Sequence, residues 1–247
     1  MKIVIGVLSY NISELTDSFC NQLKKLIKEQ YKLIVLDNGS DKEKIASSTT
    51  NRLFENTKLT GGMNEILKLS KSYNPDIVWL CTNDISLEYN LDPIKSMIQK
   101  LEQNLDVGVI HPSLIQPVPN YAYPWMIKKE NETGITKNHI MVDIIAPVYT
   151  KYALNIIDWK FDKRFESWGI DWDSCYQIRK SGLKIAVDFD ILLNHKTSVV
   201  YDTGNAKEFK NRQEYYKKAS EQMNKIMIKK YGADWVKIMQ TKFEWEK

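Results

Sequence analysis

Apolar residues along this chain follow two alternating rhythms. Ile3-Val4-Ile5-Gly6-Val7-Leu8 is a continuous apolar run that stops at Ser9-Tyr10-Asn11, which predicts a short buried strand. Leu15, Phe19, Leu23, Leu26 and Ile27 then recur at helical spacing, so a helix over about Glu14–Glu29 would gather them on one face. Leu33-Ile34-Val35-Leu36 predicts a second strand, stopped by the turn-forming cluster Asp37-Asn38-Gly39-Ser40. A short helix over Lys42–Ser47 and a short strand Arg52-Leu53-Phe54 follow. Gly61-Gly62 opens a helix carrying Met63, Ile66, Leu67 and Leu69. Ile77-Val78-Trp79-Leu80-Cys81 is another apolar strand, ending at Thr82-Asn83-Asp84. Asp92 suits an N-cap and Pro93 the first position of a helix reaching about Leu105, and Val107–Ile110 predicts a fifth strand.

Strands and helices alternating in this way imply parallel βαβ units, whose ligands bind beyond the carboxyl ends of the strands. Ser9-Tyr10-Asn11, Asp37-Asn38 and Asn83-Asp84 all fall at such ends. Their convergence predicts a site there.

After His111 the rhythm changes. Pro112 to Trp125 holds four Pro and three large aromatics, which reads as a loop able to shape a binding edge. Met141–Val148 reads as a strand, Thr150–Ile157 and Asp173–Lys180 as helices, and Lys184–Val187 and Ile191–Leu193 as two short strands. Gln213–Tyr231 places Tyr216, Ala219, Met223, Ile226 and Met227 on one helical face.

Composition narrows the class. With 43% hydrophobic and 27% charged residues over 247 positions, the chain can bury a sizeable core and is not of the disordered type. The six-residue run Ile3–Leu8 is too short for a signal sequence or a membrane span. Three widely spaced cysteines (Cys20, Cys81, Cys175) without a CxxC fit a reduced, cytoplasmic compartment. The net charge of +4 is uneven, since eleven Lys/Arg against six Asp/Glu from Ala206 onward leave +5 there and −1 elsewhere. Such a basic tail can meet an anionic membrane surface or a nucleic acid, or be a solvated helix face packed on the domain. The organisation read from this is one domain over 1–205, with a nucleotide-binding half 1–111 and a catalytic half 112–205. A basic helical extension follows over 206–247.

The densest chemistry lies in Phe165-Glu166-Ser167-Trp168-Gly169-Ile170-Asp171-Trp172-Asp173, followed by Asn194-His195. It offers carboxylates beside aromatic surfaces and an imidazole able to bind a metal. Five elements in order, namely Ser9-Tyr10-Asn11 after a strand, Val35-Leu36-Asp37-Asn38-Gly39-Ser40, Thr60-Gly61-Gly62-Met63-Asn64, Trp79–Ile85, and Ile170–Asp173 with Arg179, Gly182 and the strand Val187–His195, resemble family 2 glycosyltransferases of the GT-A fold. The resemblance spans Lys2 to about Thr197. It departs at Thr82, where the family's metal motif has its first Asp, and at Ile170, where a Glu usually precedes the base.

The resemblance implies an α/β, Rossmann-like GT-A domain with a mostly parallel central sheet and a C-terminal helical extension. It implies an inverting, hexosyltransferase-type enzyme that moves a sugar from a nucleoside-diphosphate sugar to a hydroxyl on a glycan or glycolipid. Ser9, Tyr10, Asn11, Asp37, Asn38, Gly62, Asn64 and Asn83 would then line the donor site, with Asp37 accepting from the nucleobase. Turn stabilisation competes for Asp37, and helix capping for Ser9 and Asn11. Asp84 and His195 would hold Mn2+ or Mg2+. Asp171 would be the general base; Asp173 could take that role, orient the site or cap the following helix. Trp168, Trp172 and Trp125 would meet the acceptor, with Tyr121 and Tyr123 as further aromatics of the same loop, and core packing is the competing reading of the Trp pair. Arg179 reads as a phosphate contact or a surface ion pair, and His111 and His139 as ordinary residues. Rivals are a nucleotidyltransferase, a non-catalytic nucleotide- or sugar-binding scaffold, and a transferase acting on modified DNA bases. The first lacks a Gly-rich phosphate loop after the first strand. Nucleic acid is the less favoured partner, and peripheral membrane contact through the tail is allowed.

Overall fold

The first strand, β1 (Ile3–Ser9), is buried along its whole length, as a run with no polar face requires. The computed structural model describes residues 1–88, 92–115, 121–196, 202–205 and 208–246; Thr197 and Ala206, which bound the sequence resemblance and the basic tail, lie outside the described residues.

Four strands form the parallel half of the sheet, in spatial order β3 (Asn51–Leu53), β2 (Lys32–Asn38), β1 and β4 (Ile77–Thr82). Helices α1 (Ser13–Leu26) and α2 (Lys58–Lys71) form the connections from β1 and β3. Gly61 and Gly62 lie inside α2, which opens three residues before Gly61 at Lys58. A short strand β5 (Ile85–Leu87), which no sequence pattern announced, comes just after β4, and α3 (Pro93–Gln103) follows. As its sequence predicts, α3 has Asp92 as N-cap, the side chain accepting from the backbone N–H groups of Ile94 and Lys95, with Pro93 at its start.

The second half differs from expectation in several places. β6 runs Val107–Leu114, so Pro112 to Leu114 belong to a strand and not to the aromatic loop. A register shift beside Pro112 absorbs the missing donor. A two-residue strand β7 (Ile135–Thr136) follows. The segment expected as one strand from Met141 to Val148 is regular only as β8 (Val148–Thr150). It still lies beside β4, where Ile145 and Pro147 carbonyls accept from Thr82 and Leu80, but Pro147 has no N–H to continue a ladder. Finally, the two short strands expected near the end are one, β9 (Lys184–His195). The bulge opposite Pro112 and Ser113 takes up its irregular middle.

β8 lies antiparallel between β4 and β6, while β6 and β9 are parallel and β5 pairs antiparallel with β9. The central sheet is therefore mixed, with its parallel pairs in the first four strands and in β6–β9. Two further helices flank this half, α4 (Lys151–Ile156) and α5 (Ile170–Lys180). Gly169 starts α5 at φ +100°, where a Cβ would meet the Phe165 ring at 2.6 Å and Met223 at 2.9 Å. Only glycine fits that corner. α5 begins earlier than the Asp173 start expected, and Asp173 does not cap it.

The C-terminal residues pack onto this frame through α6 (Arg212–Tyr231) and α7 (Trp235–Met239). Met227 and Met239 are buried, and Trp235 meets Trp172 edge-on with ring centroids 5.9 Å apart. Arg179 is the deepest tie. At 1% exposure it bonds both oxygens of Glu246 at 2.7 Å and the carbonyls of Met239 and Thr241 at 2.8 and 2.7 Å. It is thus neither a phosphate contact nor a surface ion pair. Among the described residues, no helix is long and apolar enough to cross a membrane.

Candidate active site

Asp84 follows β4 and His195 ends β9. The antiparallel pairing of β5 with β9 sets Ile85 opposite His195, so the acid one residue earlier faces the imidazole. His195 Nε2 is 3.3 Å from Asp84 Oδ2. Burial opposes both charges, but each outweighs it for the other. The Asp84 carboxyl is held below its usual range and the His195 imidazole is raised above its own. Asp84 Oδ1 and His195 Nδ1 are buried without hydrogen-bond partners. The facing pair, a carboxylate oxygen and an imidazole nitrogen, is of the donor type that a divalent cation takes. No group of three or more His, Cys, Asp or Glu with ligand spacing occurs among the described residues, so phosphate oxygens or water would complete the shell.

The carboxyl end of β2 supplies a second polar corner. Asp37 is fully buried and its Oδ2 accepts from Arg52 Nε at 3.2 Å and from the Ser40 N–H at 3.3 Å. Its Oδ1 is buried with no partner. Leaving a carboxylate oxygen in that state costs free energy unless a ligand completes it. Asn11, at φ +54°, holds the neighbouring turn: its N–H donates to Ser40 Oγ at 2.8 Å and its Oδ1 accepts from the Asp41 N–H at 2.9 Å. Asn11 Nδ2 donates to the Asn205 carbonyl at 3.0 Å. Tyr10 is half-buried beside it. Ser9 Oγ and Thr16 Oγ1 share a hydrogen bond of 2.8 Å, and Asn83 Nδ2 donates to the same Thr16 oxygen at 3.0 Å.

Three further expected donor residues are tied into the scaffold. Asn38 is saturated by Asn56, Thr57 and the Lys58 carbonyl. Asn64 clamps the Phe161 backbone through both amide atoms, at 3.1 and 2.7 Å. Gly62 makes room for Leu8, whose Cδ1 would stand 2.4 Å from an added Cβ.

The third corner holds the acids of α5 and the aromatic loop. Asp171 is 6% exposed; its Oδ1 accepts from the Trp172 N–H at 2.9 Å and its Oδ2 from the Tyr123 hydroxyl at 3.3 Å. Burial, with the like charge of Asp143 adding to it, pushes the Asp171 carboxyl up to about 7. Asp143 was not expected here. It is half-buried, accepts from the Tyr121 hydroxyl at Oδ2, and is itself raised by burial. Its charge is felt at Asp171 and at His195 alike. The available signal was one acid between Val142 and Ile144, inside a run otherwise apolar from Ile140 to Val148. Tyr121, Tyr123 and Trp125 pack as a ladder with centroids 5.5 and 5.7 Å apart.

Asp173, two residues from Asp171, is turned the other way. Its Oδ1 takes Lys230 Nζ at 2.6 Å and the Tyr231 hydroxyl at 2.5 Å, and its Oδ2 takes Gln177. It anchors α6, which corrects the expectation of a second catalytic acid. Trp168 packs on Tyr215 and Tyr216 of α6, a packing role in place of the expected acceptor contact. Trp172 and Trp125 stay near the acids, Trp172 through its backbone N–H to Asp171 and Trp125 through its ring contact with Tyr123. His111 is buried inside β6, accepts from the Ala146 N–H and bonds the Pro112 carbonyl; burial holds it down to about 3 and so neutral.

No protein-family model matches this chain, and no curated protein matches it by sequence. Solved structures do match in shape. A crystal structure of GalNAc-T7 with UDP, GalNAc and Mn2+ superposes with a TM-score of 0.63 at 9% identity, over 79% of this chain and 44% of that one. S. aureus TarS matches with 0.60 at 16%, over 83% of this chain and 38% of that one. The 1–349 portion of TarS in complex with UDP matches with 0.58 at 15%, over 97% and 70%. The chain thus spans less than half the length of the first two. It has the GT-A glycosyltransferase fold.

Proposed function

We propose that the chain is a GT-A transferase that moves a sugar from a nucleoside-diphosphate donor to a hydroxyl acceptor with inversion. The observation that carries this reading is the meeting of Asp84 with His195, each keeping a buried unpartnered atom, on the strand-end edge that also holds Asp37. The uridine diphosphate in the GalNAc-T7 and TarS structures supports a uridine donor. Asp37 Oδ1 would accept the N3–H of the base, a bond for which it has no internal substitute. Asp84 and His195 would hold Mn2+ or Mg2+. When bound, the cation would stabilise charge on the departing diphosphate.

Asp171 is the base of this reading. Its carboxylate takes the proton of the acceptor hydroxyl as that oxygen attacks the anomeric carbon, from the face opposite the leaving diphosphate. A carboxyl raised toward neutrality by burial is better matched to that transfer than an exposed one, and the Tyr123 hydroxyl fixes its orientation. Asp173 is spoken for by Lys230 and Tyr231 and takes no part. The proposed donor set is Ser9, Tyr10, Asn11, Asp37 and Asn83, with Trp125 and Trp172 toward a glycan or glycolipid acceptor.

Release of UDP from UDP-glucose and UDP-N-acetylglucosamine, with manganese and with or without a sugar acceptor, tests the reading. Turnover that Asp171→Asn abolishes supports it. UDP binding without any turnover leaves a nucleotide-binding scaffold, and no binding at all sinks the donor site.

A further inference from the structure

Asp143 belongs to none of the ion pairs among the described residues, although the charge of His195 is felt there. Its Oδ2 accepts from the Tyr121 hydroxyl. Both neighbours along the chain, Val142 and Ile144, are buried, yet Asp143 keeps part of its surface open. Burial still outweighs the Tyr121 bond and the His195 charge and leaves the carboxyl raised, so an acid in such a place costs the fold stability.

Its surroundings narrow the role. Tyr121 and Tyr123 alternate in sequence and stand edge to face at 5.5 Å, and their hydroxyls go to Asp143 and Asp171 in turn. The loop therefore sets two carboxylates side by side, each fixed by one phenol. Asp143 does not complete a three-residue metal set with Asp84 and His195. Asp143 as a whole is only half-buried, whereas Asp37 and the Oδ1 atom of Asp84 are enclosed. A molecule that presents a hydroxyl to Asp171 brings its neighbouring atoms to Asp143.

On the transferase reading above, we propose that Asp143 is a second acceptor-binding carboxylate, accepting a hydrogen bond from a hydroxyl next to the one that Asp171 deprotonates. The acceptor class is then a vicinal diol, a sugar ring or a polyol, and not an isolated alcohol. Tyr121 is a positioning residue that holds Asp143 in place for it.

The test measures how one donor partitions between acceptors. Wild-type protein is given a UDP-sugar with glycerol, with 1-propanol, or with water alone, and products are counted. Partition ratios do not depend on how much of a variant is folded. The wild type favours glycerol over 1-propanol, and in Asp143→Asn the ratio of glycerol transfer to hydrolysis falls roughly tenfold or more, the scale of one hydrogen bond to a charged group. Tyr121→Phe lowers the same ratio by a smaller factor. Equal ratios in wild type and Asp143→Asn, or no preference for the diol, overturn the inference while the transferase reading stands. Absence of any donor turnover in the wild type overturns that reading first, and this one with it.

Discussion

The hydroxyl of Tyr123 lies 3.3 Å from Oδ2 of Asp171, tying the aromatic loop to the first turn of α5. The same helix sends Asp173 to Lys230 and Tyr231 of α6. One acid of the pair is thereby held against the aromatic loop and the other is consumed by the scaffold.

This division predicts a pH profile. The Asp171 carboxyl, raised to about 7, must lose its proton to act as base. Transfer should therefore rise with pH through about 7 and fall away below it, with the limb belonging to the Asp171–Asp143 pair rather than to one group. Asp171→Asn should reduce kcat by roughly a hundredfold or more while UDP binding persists.

Linkage gives the same acid a stability signature. A carboxyl whose folded pKa is raised binds its proton in the native state while the unfolded chain has already released it. The native state therefore loses stability as pH climbs from about 4 to about 7, and the penalty stays constant above that. Asp171→Asn removes the penalty, so its melting temperature at pH 8 should exceed the wild type by roughly 3 °C or more. A lower value would show that the burial of Asp171 is not costly.

Arg179 should behave as a structural anchor. Removing its partner leaves a guanidinium buried at 1% exposure with carbonyls and the Phe243 ring around it but no carboxylate bonded to it. Urea unfolding of Glu246→Ala or Arg179→Ala should show a loss of about 3–5 kcal/mol. A loss under about 1 kcal/mol, the scale of a surface pair, would contradict the burial.

Gly62→Ala pits two effects against each other. Alanine in a helix interior is favoured by about 1 kcal/mol. The added Cβ, however, would stand 2.4 Å from Leu8 Cδ1 and 3.2 Å from Asn38 Nδ2, and overpacking of that kind costs about 1–3 kcal/mol. The variant should be less stable, with UDP affinity in the folded fraction unchanged, which separates a packing glycine from a ligand contact.

The strand ends were legible because an apolar run that stops at Asp37 or Asp84 states both its burial and its boundary. His195 was legible through the order of elements, and the end-on meeting with Asp84 then follows from strand register. Asp143 was not, since one acid among Val142, Ile144 and Ile145 looks like the alternation of a strand, and Pro147 broke that strand for a reason visible only beside β4. Tyr121 and Tyr123 read as flat aromatic surface, whereas their hydroxyls carry the contacts. Asp173 and Arg179 depend on residues of the last two helices and the segment after them, far along the chain, where no local pattern points back to α5.

The central claim is that Asp37, Asp84 and His195 form one donor site. Melting curves with UDP, GDP, CDP and no nucleotide, each with and without manganese, test it most directly when run beside Asp37→Asn, Asp84→Ala and His195→Ala. A ligand that binds only the folded state raises the melting temperature by mass action. The account predicts a shift for UDP that grows with manganese, is weakened in Asp37→Asn, and loses its manganese increment in Asp84→Ala and His195→Ala. A shift of equal size for all nucleotides, or one that survives all three substitutions, would contradict it.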